Sequence, residues 1–251
     1  MFVSGNDTTD RVLLFDLDGT LLPVGPEFFM KDYPNAAAPY FSHIVDEKYF
    51  KKALFESTFD MIRNTDKALS NIEAFGMSFA KKIGRSWSEI WAIFEDFYEN
   101  AFPKLKAVVA DTFIARDVVD ACLSQGWRIV LATNPVFPET AIKERMRWCH
   151  VDHFDWQFIT TIENMHSCKP NTEYYVEIVD VLGLKPECCV MIGNDVQEDM
   201  VASRTGMRTI LVEDYCIDRD DEDHKDGVTI DERGLVPDVP EITRRLIGNL
   251  S

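Results

Sequence analysis

The stretch Val-Leu-Leu-Phe-Asp-Leu-Asp-Gly-Thr-Leu at residues 12–21 decides the fold of this chain. An apolar run ends in two aspartates one residue apart, Asp16 and Asp18, and Gly19-Thr20 follows at once. Such a run is typical of a buried strand, and the glycine lets the chain turn where the strand ends. Two carboxylates held so close repel unless one takes a proton or a cation lies between them. The motif therefore favours acid–base chemistry or a hard metal such as Mg²⁺.

Composition limits the classes of protein to which the chain can belong. Its 251 residues are 46% hydrophobic and 12% aromatic, which is enough apolar material for a sizeable core. The formal net charge of −17 argues against nucleic acid or an anionic membrane as a partner, because both require a positive surface. An anionic substrate must therefore be attracted by local cations or by a metal.

The chain lacks the patterns of membrane and secreted proteins. Its apolar runs are all shorter than the ~20 residues that span a bilayer, and residues 1–11 do not show the basic-then-apolar pattern of a secretory leader. We therefore expect a cytoplasmic protein. The six cysteines include no CxxC pair, so we expect free thiols.

Strand and helix patterns alternate in the second half of the chain. Further strands are predicted at 128–132, 156–160, 189–193 and 208–212, and helices at about 113–125, 138–148, 172–183 and 197–205. This alternation is typical of a parallel sheet covered by helices on both faces. The sequence therefore predicts an α/β fold.

Residues 23–105 interrupt this alternation. Aromatic and aliphatic residues recur at steps of three and four from Trp87 to Phe102, which indicates an amphipathic helix that begins at a capping box of Ser86 and Glu89. We therefore predict a core domain of residues 1–22 and 106–251 and an all-helical insert at 23–105. An insert that follows the first strand lies above the strand ends, where α/β folds carry their sites.

Polar residues follow the predicted strands or precede the next helix. They are Thr133, Asn134, Lys169, Asn194, Asp195, Glu198 and Asp199. Because parallel strands bring their carboxyl ends to one edge of a sheet, these residues are expected to meet Asp16 and Asp18 there. Acids together with a lysine and a hydroxyl suit a metal-bound phosphate, since the lysine and hydroxyl hold phosphate oxygens.

With these motifs, the whole chain resembles the haloacid dehalogenase-like hydrolase superfamily, in its phosphatase branch with a helical cap. Residues 16–20 resemble the first motif of the family, Thr133 the second, Lys169 the third and residues 193–199 the fourth. The resemblance implies a Rossmann-like core with an inserted helical cap domain.

The resemblance also implies roles for individual residues. Asp16 would be the nucleophile that forms an aspartyl-phosphate, and Asp18 would be first the acid and then the base. Thr133 and Lys169 would hold phosphate oxygens, and Asn134 would add its backbone N–H. Mg²⁺ would bridge Asp16, the backbone carbonyl of Asp18, the fourth motif and the phosphate.

The fourth motif departs from the usual Gly-Asp-x-x-x-Asp pattern of the family. A gapless count from Gly193 puts Asn194 and Glu198 at the acidic positions, and a shift by one residue puts Asp195 and Asp199 there. Both pairs have the i, i+4 spacing of one helix face. The metal ligand is thus Asn194 or Asp195, and Glu198 or Asp199 lies behind it.

The function expected from these features is Mg²⁺-dependent hydrolysis of a small phosphorylated metabolite. The alternatives are a phosphomutase on the same scaffold and a catalytically silent binding protein. Substrate and oligomeric state stay open. Residues 27–29 are candidates for the pocket wall. Lys31, Arg63 and Arg85 of the cap are candidates for a second substrate anion, although solvated surface charge is the ordinary interpretation of such residues.

Overall fold

The computed structural model describes residues 11–219 and 227–247. Its central sheet has five parallel strands in the order β2-β1-β3-β4-β5. The strands are β1 (Val12–Phe15), β2 (Arg128–Leu131), β3 (Cys189–Gly193), β4 (Arg208–Val212) and β5 (Glu232–Gly234). The predicted α/β class is confirmed, and the strand that precedes Asp16 lies inside the sheet between β2 and β3.

One predicted strand was wrong and one strand was not predicted. Residues 156–160 lie along β2 and share backbone hydrogen bonds with it, but they form only an isolated bridge, between Ile159 and Leu131. Strand β5 is three residues long and only partly buried, so it lacks the apolar run by which the other strands were recognised.

Eight α-helices are present in the described part of the chain. They are α1 (Tyr33–Phe41), α2 (Glu47–Ile62), α3 (Asn71–Ile83), α4 (Trp87–Asn100), α5 (Ile114–Ser124), α6 (Glu139–Trp148), α7 (Thr172–Leu182) and α8 (Val239–Ile247). Short 3-10 and π-helical turns at Phe28–Asp32, Phe102–Val108, Pro186–Cys188 and Val236–Asp238 connect them. The predicted helix at 197–205 is only a 3-10 turn, Met200–Thr205.

Helices cover both faces of the sheet. Leu13 and Phe15 of β1 belong to an apolar cluster that extends through α5, α6 and α8 and into α1–α4. Val12 and Leu14 point to the other face, into a second cluster with α7. The first cluster is continuous from the sheet to the inserted helices, so the insert rests on the same apolar core as β1.

The segment 23–105, which is described in full, contains helices and no strand. Capping boxes begin two of its helices, Ser70 with Glu73 at α3 and the predicted Ser86 with Glu89 at α4. Aromatic rings fill its centre, with Phe41 stacked on Phe50 at 4.5 Å between ring centroids. The aromatic residues of α4 therefore serve as packing in a helical bundle.

Two sequence expectations outside the sheet can be compared with the structure. All six cysteines fall in the described part of the chain and are free thiols, as predicted. Within residues 11–219 and 227–247, every helix is too short or too polar to cross a membrane. The leader prediction concerns mainly residues 1–10, which lie outside the described residues.

Candidate active site

Asp16 and Lys169 form the centre of the site. Asp16 directly follows β1, and its backbone N–H donates to the carbonyl of Ile192 in β3 at 2.9 Å. The Lys169 ammonium, which is 1% exposed, donates to Asp16 Oδ1 at 2.8 Å and to Asp199 Oδ1 at 2.6 Å. The structure thus brings three sequence-predicted residues from three separate segments into one buried ion-pair network.

Burial sets the electrostatics of this network. It raises the pKa of Asp16 well above the ordinary value; the Lys169 ammonium opposes that rise, whereas the charges of Asp199 and Asp18 add to it. Burial by itself would lower the pKa of Lys169, but the carboxylates of Asp16 and Asp199 outweigh it and raise that pKa. Lys169 is therefore a permanent cation beside a carboxylate whose ionised form needs more positive charge.

Asp18 has a partner that sequence reasoning missed. Arg145 of α6, completely buried, forms a salt bridge from Nη1 to Asp18 Oδ2. Burial raises the pKa of Asp18, and the Arg145 guanidinium opposes that rise. Asp18 Oδ1 has no hydrogen-bond partner among the described residues, so one carboxylate oxygen is held and the other is free.

Packing holds the Arg145 guanidinium in place. Its carbon lies 4.4 Å from the ring centroid of Phe137, and Nε donates to the carbonyl of Ala141. The sequence does contain a signal for this residue. Arg145 lies three and four positions after the buried Ile142 and Ala141, on the apolar face of α6, where an arginine needs a buried anion.

Hydrogen bonds hold both Thr133 and Asn134 in place. The carbonyl of Thr133 accepts hydrogen bonds from Thr160 Oγ1 at 2.7 Å and from the Tyr174 hydroxyl at 2.9 Å. Asn134 Nδ2 donates to Glu198 Oε2 at 3.0 Å. The backbone of Thr133 is thereby fixed, which leaves its side chain beside the acids of the site.

Asn194 closes the turn after the first motif. Its Oδ1 accepts from Thr20 Oγ1 at 3.1 Å, and its Nδ2 donates to the Tyr215 carbonyl at 2.7 Å. Gly19 has a φ of +82°, and a Cβ there would lie 2.3 Å from the Asn194 side chain. Glycine is required at this position on both counts.

Asp195 and Asp199 are joined across one helical turn. Asp195 Oδ1 accepts the backbone N–H groups of Gln197 and Glu198, each at 3.0 Å. The backbone N–H of Asp195 in turn donates to Asp199 Oδ2 at 2.9 Å. Arg219, also not predicted, contacts Asp195 at 2.7 Å and Glu198 at 3.7 Å.

The described part of the site carries more negative than positive charge. Its carboxylates are Asp16, Asp18, Asp195, Glu198 and Asp199, and its cations are Arg145, Lys169 and Arg219. Burial raises the pKa of Asp195, and it raises that of Glu198 to about 7. Acids this destabilised in their ionised forms favour an added cation.

The donor set suits a hard divalent ion that keeps other ligands. In the described ranges, no three carboxylate, imidazole or thiol side chains are grouped as a metal cage. Mg²⁺ does not need one, since it is commonly bound by one or two carboxylates with water and phosphate oxygens. Asp16, the Asp18 carbonyl and one residue of the fourth motif would supply oxygen ligands of this kind.

A cavity of about 340 Å³ extends from these residues toward α2–α4. Its lining includes Asp16, Asp18, Thr133, Asn134, Asn194, Asp195, Glu198 and Asp199. Of the wall candidates at 27–29, Phe29 lines the cavity, whereas Glu27 and Phe28 do not. The three candidate cap cations are exposed and lie outside its lining: Lys31, Arg63 and Arg85.

The sequence matches the haloacid dehalogenase-like hydrolase family over residues 11–204. The chain therefore belongs to this family and is a hydrolase. Among curated proteins it is 23% identical to the pyrophosphatase PpaX of Halalkalibacterium halodurans, over 80% of this chain and 83% of the relative.

Solved structures share the fold. A haloacid dehalogenase-like (HAD) phosphatase from Thermococcus onnurineus aligns with a TM-score of 0.60 at 13% identity, over 93% of this chain and 97% of that one. A predicted phosphoglycolate phosphatase from Haemophilus somnus aligns with a TM-score of 0.57 at 15% identity, over 95% of this chain and 100% of that one. At such identities the likeness concerns the fold alone.

Proposed function

We propose that this hydrolase cleaves small phosphate monoesters through an aspartyl-phosphate on Asp16, with the help of Mg²⁺. The observation that carries the proposal is the buried Lys169, which bridges Asp16 and Asp199, two acids that line the cavity. A buried lysine between two acids is a fixed positive charge, and a phosphate dianion that approaches Asp16 needs such a charge.

The first step transfers the phosphoryl group to the protein. A carboxylate oxygen of Asp16 attacks phosphorus, and the bond from phosphorus to the ester oxygen breaks. Asp18 gives its proton to the departing oxygen, so that an alcohol leaves. Arg145 holds Asp18 through one oxygen, and the free Oδ1 is available for this transfer.

The second step returns Asp16 to its starting form. Asp18, now ionised, takes a proton from water, whose oxygen attacks the phosphorus of the aspartyl-phosphate. Inorganic phosphate leaves and the Asp16 carboxylate is regenerated. Thr133, the backbone N–H of Asn134 and Lys169 hold the phosphoryl oxygens through both steps.

Mg²⁺, when bound, neutralises charge on the phosphoryl group. Of the two candidate ligands, Asp195 fits better. The acid that contacts Lys169 is Asp199, which supports the family register that pairs Asp195 with Asp199. Asn194 carries no charge, and both ends of its amide are bonded to Thr20 and Tyr215. We therefore assign Asp16, the Asp18 carbonyl and Asp195 as the protein ligands.

The proton donor distinguishes the chemistry from that of relatives that remove a halide. An oxygen leaving group needs a proton and a halide does not, so Asp18 favours an ester substrate. A phosphomutase would use the same residues but return the phosphoryl group to a second hydroxyl rather than to water. A silent binding protein would not need the network of Asp16, Asp18 and Lys169.

The experiment is hydrolysis of p-nitrophenyl phosphate with and without Mg²⁺, beside Asp16→Asn. We expect metal-dependent release of inorganic phosphate that the variant loses. Nitrophenol release without matching phosphate in solution would point to a mutase. If neither this ester nor the alkyl esters named below release phosphate, the proposed function is wrong.

A further inference from the structure

The cavity that Asp16 lines has many aromatic residues in its wall. We infer that the leaving group of the substrate is an apolar alcohol about the size of one aromatic ring. The inference rests on the proposed function and names the class of substrate for the same site.

Aromatic rings form the wall opposite the acids. They come from different elements of the cap: Phe29 before α1, Phe55 from α2, Phe75 from α3, and Trp91, Phe94 and Tyr98 from α4. Phe137 adds a ring from the core side. Aromatic walls provide apolar contact area but few groups that could bond to sugar hydroxyls.

The cavity offers little positive charge for a second anion. Of the described residues that line it, Arg219 is the sole cation, and it already pairs with Asp195 and Glu198. A carboxylate or a second phosphate on the leaving group would lie between aromatic rings and an excess of acids. No unpaired cation among the described lining residues would replace its lost hydration, so such substrates are disfavoured.

Two tyrosine hydroxyls in the wall bond to each other. The hydroxyls of Tyr33 and Tyr98 lie 2.9 Å apart, and both side chains are more than nine-tenths buried. Burial raises the pKa of Tyr33 to about 12, so the pair stays neutral. Two neutral hydroxyls that bond to each other can accept an apolar group nearby and have no charge with which to hold an anion.

The volume of the cavity is consistent with a leaving group the size of one aromatic ring. At about 340 Å³ the cavity is at the small end of ligand pockets, which range over roughly 300–1,000 Å³. The phosphate occupies the end beside Asp16 and Lys169. The remaining space has the size of a phenyl or short alkyl group beside aromatic lining residues such as Phe55 and Trp91, and it has no room for a nucleotide.

The first test compares alkyl esters whose alcohols have similar reactivity: 2-phenylethyl phosphate, glycerol 3-phosphate and phosphoglycolate, with pyrophosphate as a fourth substrate. We expect kcat/KM for 2-phenylethyl phosphate to exceed the others by at least about tenfold, mainly through KM. Equal or better hydrolysis of phosphoglycolate or pyrophosphate would overturn the substrate class and leave the phosphatase proposal intact. Hydrolysis of none would overturn both.

A matched pair of variants tests the wall itself. Phe59 and Phe113 are similarly exposed, at 54% and 48%, and each has an arginine over its ring, but only Phe59 lines the cavity. Phe59→Lys adds a cation at the wall, so we expect the preference for 2-phenylethyl phosphate over phosphoglycolate to fall by about fivefold. Phe113→Lys should leave it unchanged. Equal effects of the two variants would contradict the inference.

Discussion

The floor and the wall of the active-site cavity are built in opposite ways. The floor consists of the polar residues at the carboxyl ends of the strands, and the wall consists of aromatic residues of the inserted helices. In the floor, charges from distant segments pair with each other, and Lys169 pairs with both Asp16 and Asp199. Arg145 and Asp18 are 127 positions apart, and Lys169 and Asp16 are 153 apart.

The wall is held by many similar contacts. Phe94 alone packs against the rings of Phe41, Phe75 and Phe79 within 6.1 Å between centroids. Loss of one such contact leaves the others in place, whereas loss of one charge in the floor leaves a partner buried and unpaired. A single substitution of a floor charge should therefore have a large effect on activity, whereas a single substitution in the wall should have a small one.

The largest effect is expected at Asp16. Asp16→Asn removes the proposed nucleophile, so turnover should fall by at least about 10³-fold. The amide keeps the size of the side chain and Lys169 stays paired with Asp199, so the far-UV circular dichroism and Tm should stay close to those of the parent. Steady-state phosphate release measures the turnover, and thermal unfolding measures the Tm. An unchanged rate would exclude Asp16 as the nucleophile.

The next effect is expected at Arg145, which we assign as a positioning residue for Asp18. Arg145→Lys keeps the charge but loses the planar guanidinium on Phe137, so kcat should fall by about 10- to 100-fold while KM changes little. The split between kcat and KM is the diagnostic measurement. If Tm falls while the kcat of the folded protein is unchanged, Arg145 has only a structural role.

A more moderate effect is expected on the Mg²⁺ requirement when each of the two candidate metal ligands is substituted. Asp195→Asn removes a charged ligand, and we expect the Mg²⁺ concentration for half-maximal activity to rise by about tenfold or more. Asn194→Ala removes the side-chain hydrogen bonds to Thr20 and Tyr215, and the Mg²⁺ requirement of this variant should change less than about threefold. Magnesium titrations of both variants decide the register, and the reverse order would assign Asn194 as the ligand.

The smallest effect is expected at the helix caps of the wall. Ser86→Ala removes one half of the capping box of α4, because the Ser86 Oγ accepts the backbone N–H of Glu89 at 3.4 Å. The free energy of unfolding should fall by about 1 kcal/mol. Because Ser86 does not line the cavity, kcat should not change. A parallel loss of kcat would show that wall and floor are not separable.

Local sequence patterns were sufficient for part of the fold and site. Strands β1 to β4 are apolar runs buried on both faces, and such runs are visible without tertiary information. Asp16, Asp18 and Lys169 were found because each stands beside a strand or helix signal in a fixed order. Residues 156–160 show the limit, because their alternating pattern predicts a strand but the segment forms only an isolated bridge to β2.

Other elements had no local signal of sufficient strength. Helix α1 contains two prolines, Pro34 and Pro39, and its π-helical approach hides the ordinary helix period. Strand β5 is short and half exposed, and its place is set by pairing with β4. Such elements owe their structure to neighbours, so propensity alone could not define them.

The sequence by itself determined strands β1 to β4, the all-helical character of residues 23–105 and the acids that follow β1. These features depend on residue spacing along one segment. Tertiary structure alone decided that Arg145 meets Asp18, that Asp199 rather than Glu198 meets Lys169, and that the cap presents aromatic rings rather than cations to the cavity. Those outcomes depend on which side chains, distant in sequence, lie together in the folded protein. A buried charge needs a partner, and only the tertiary structure decides which residue is close enough to be that partner.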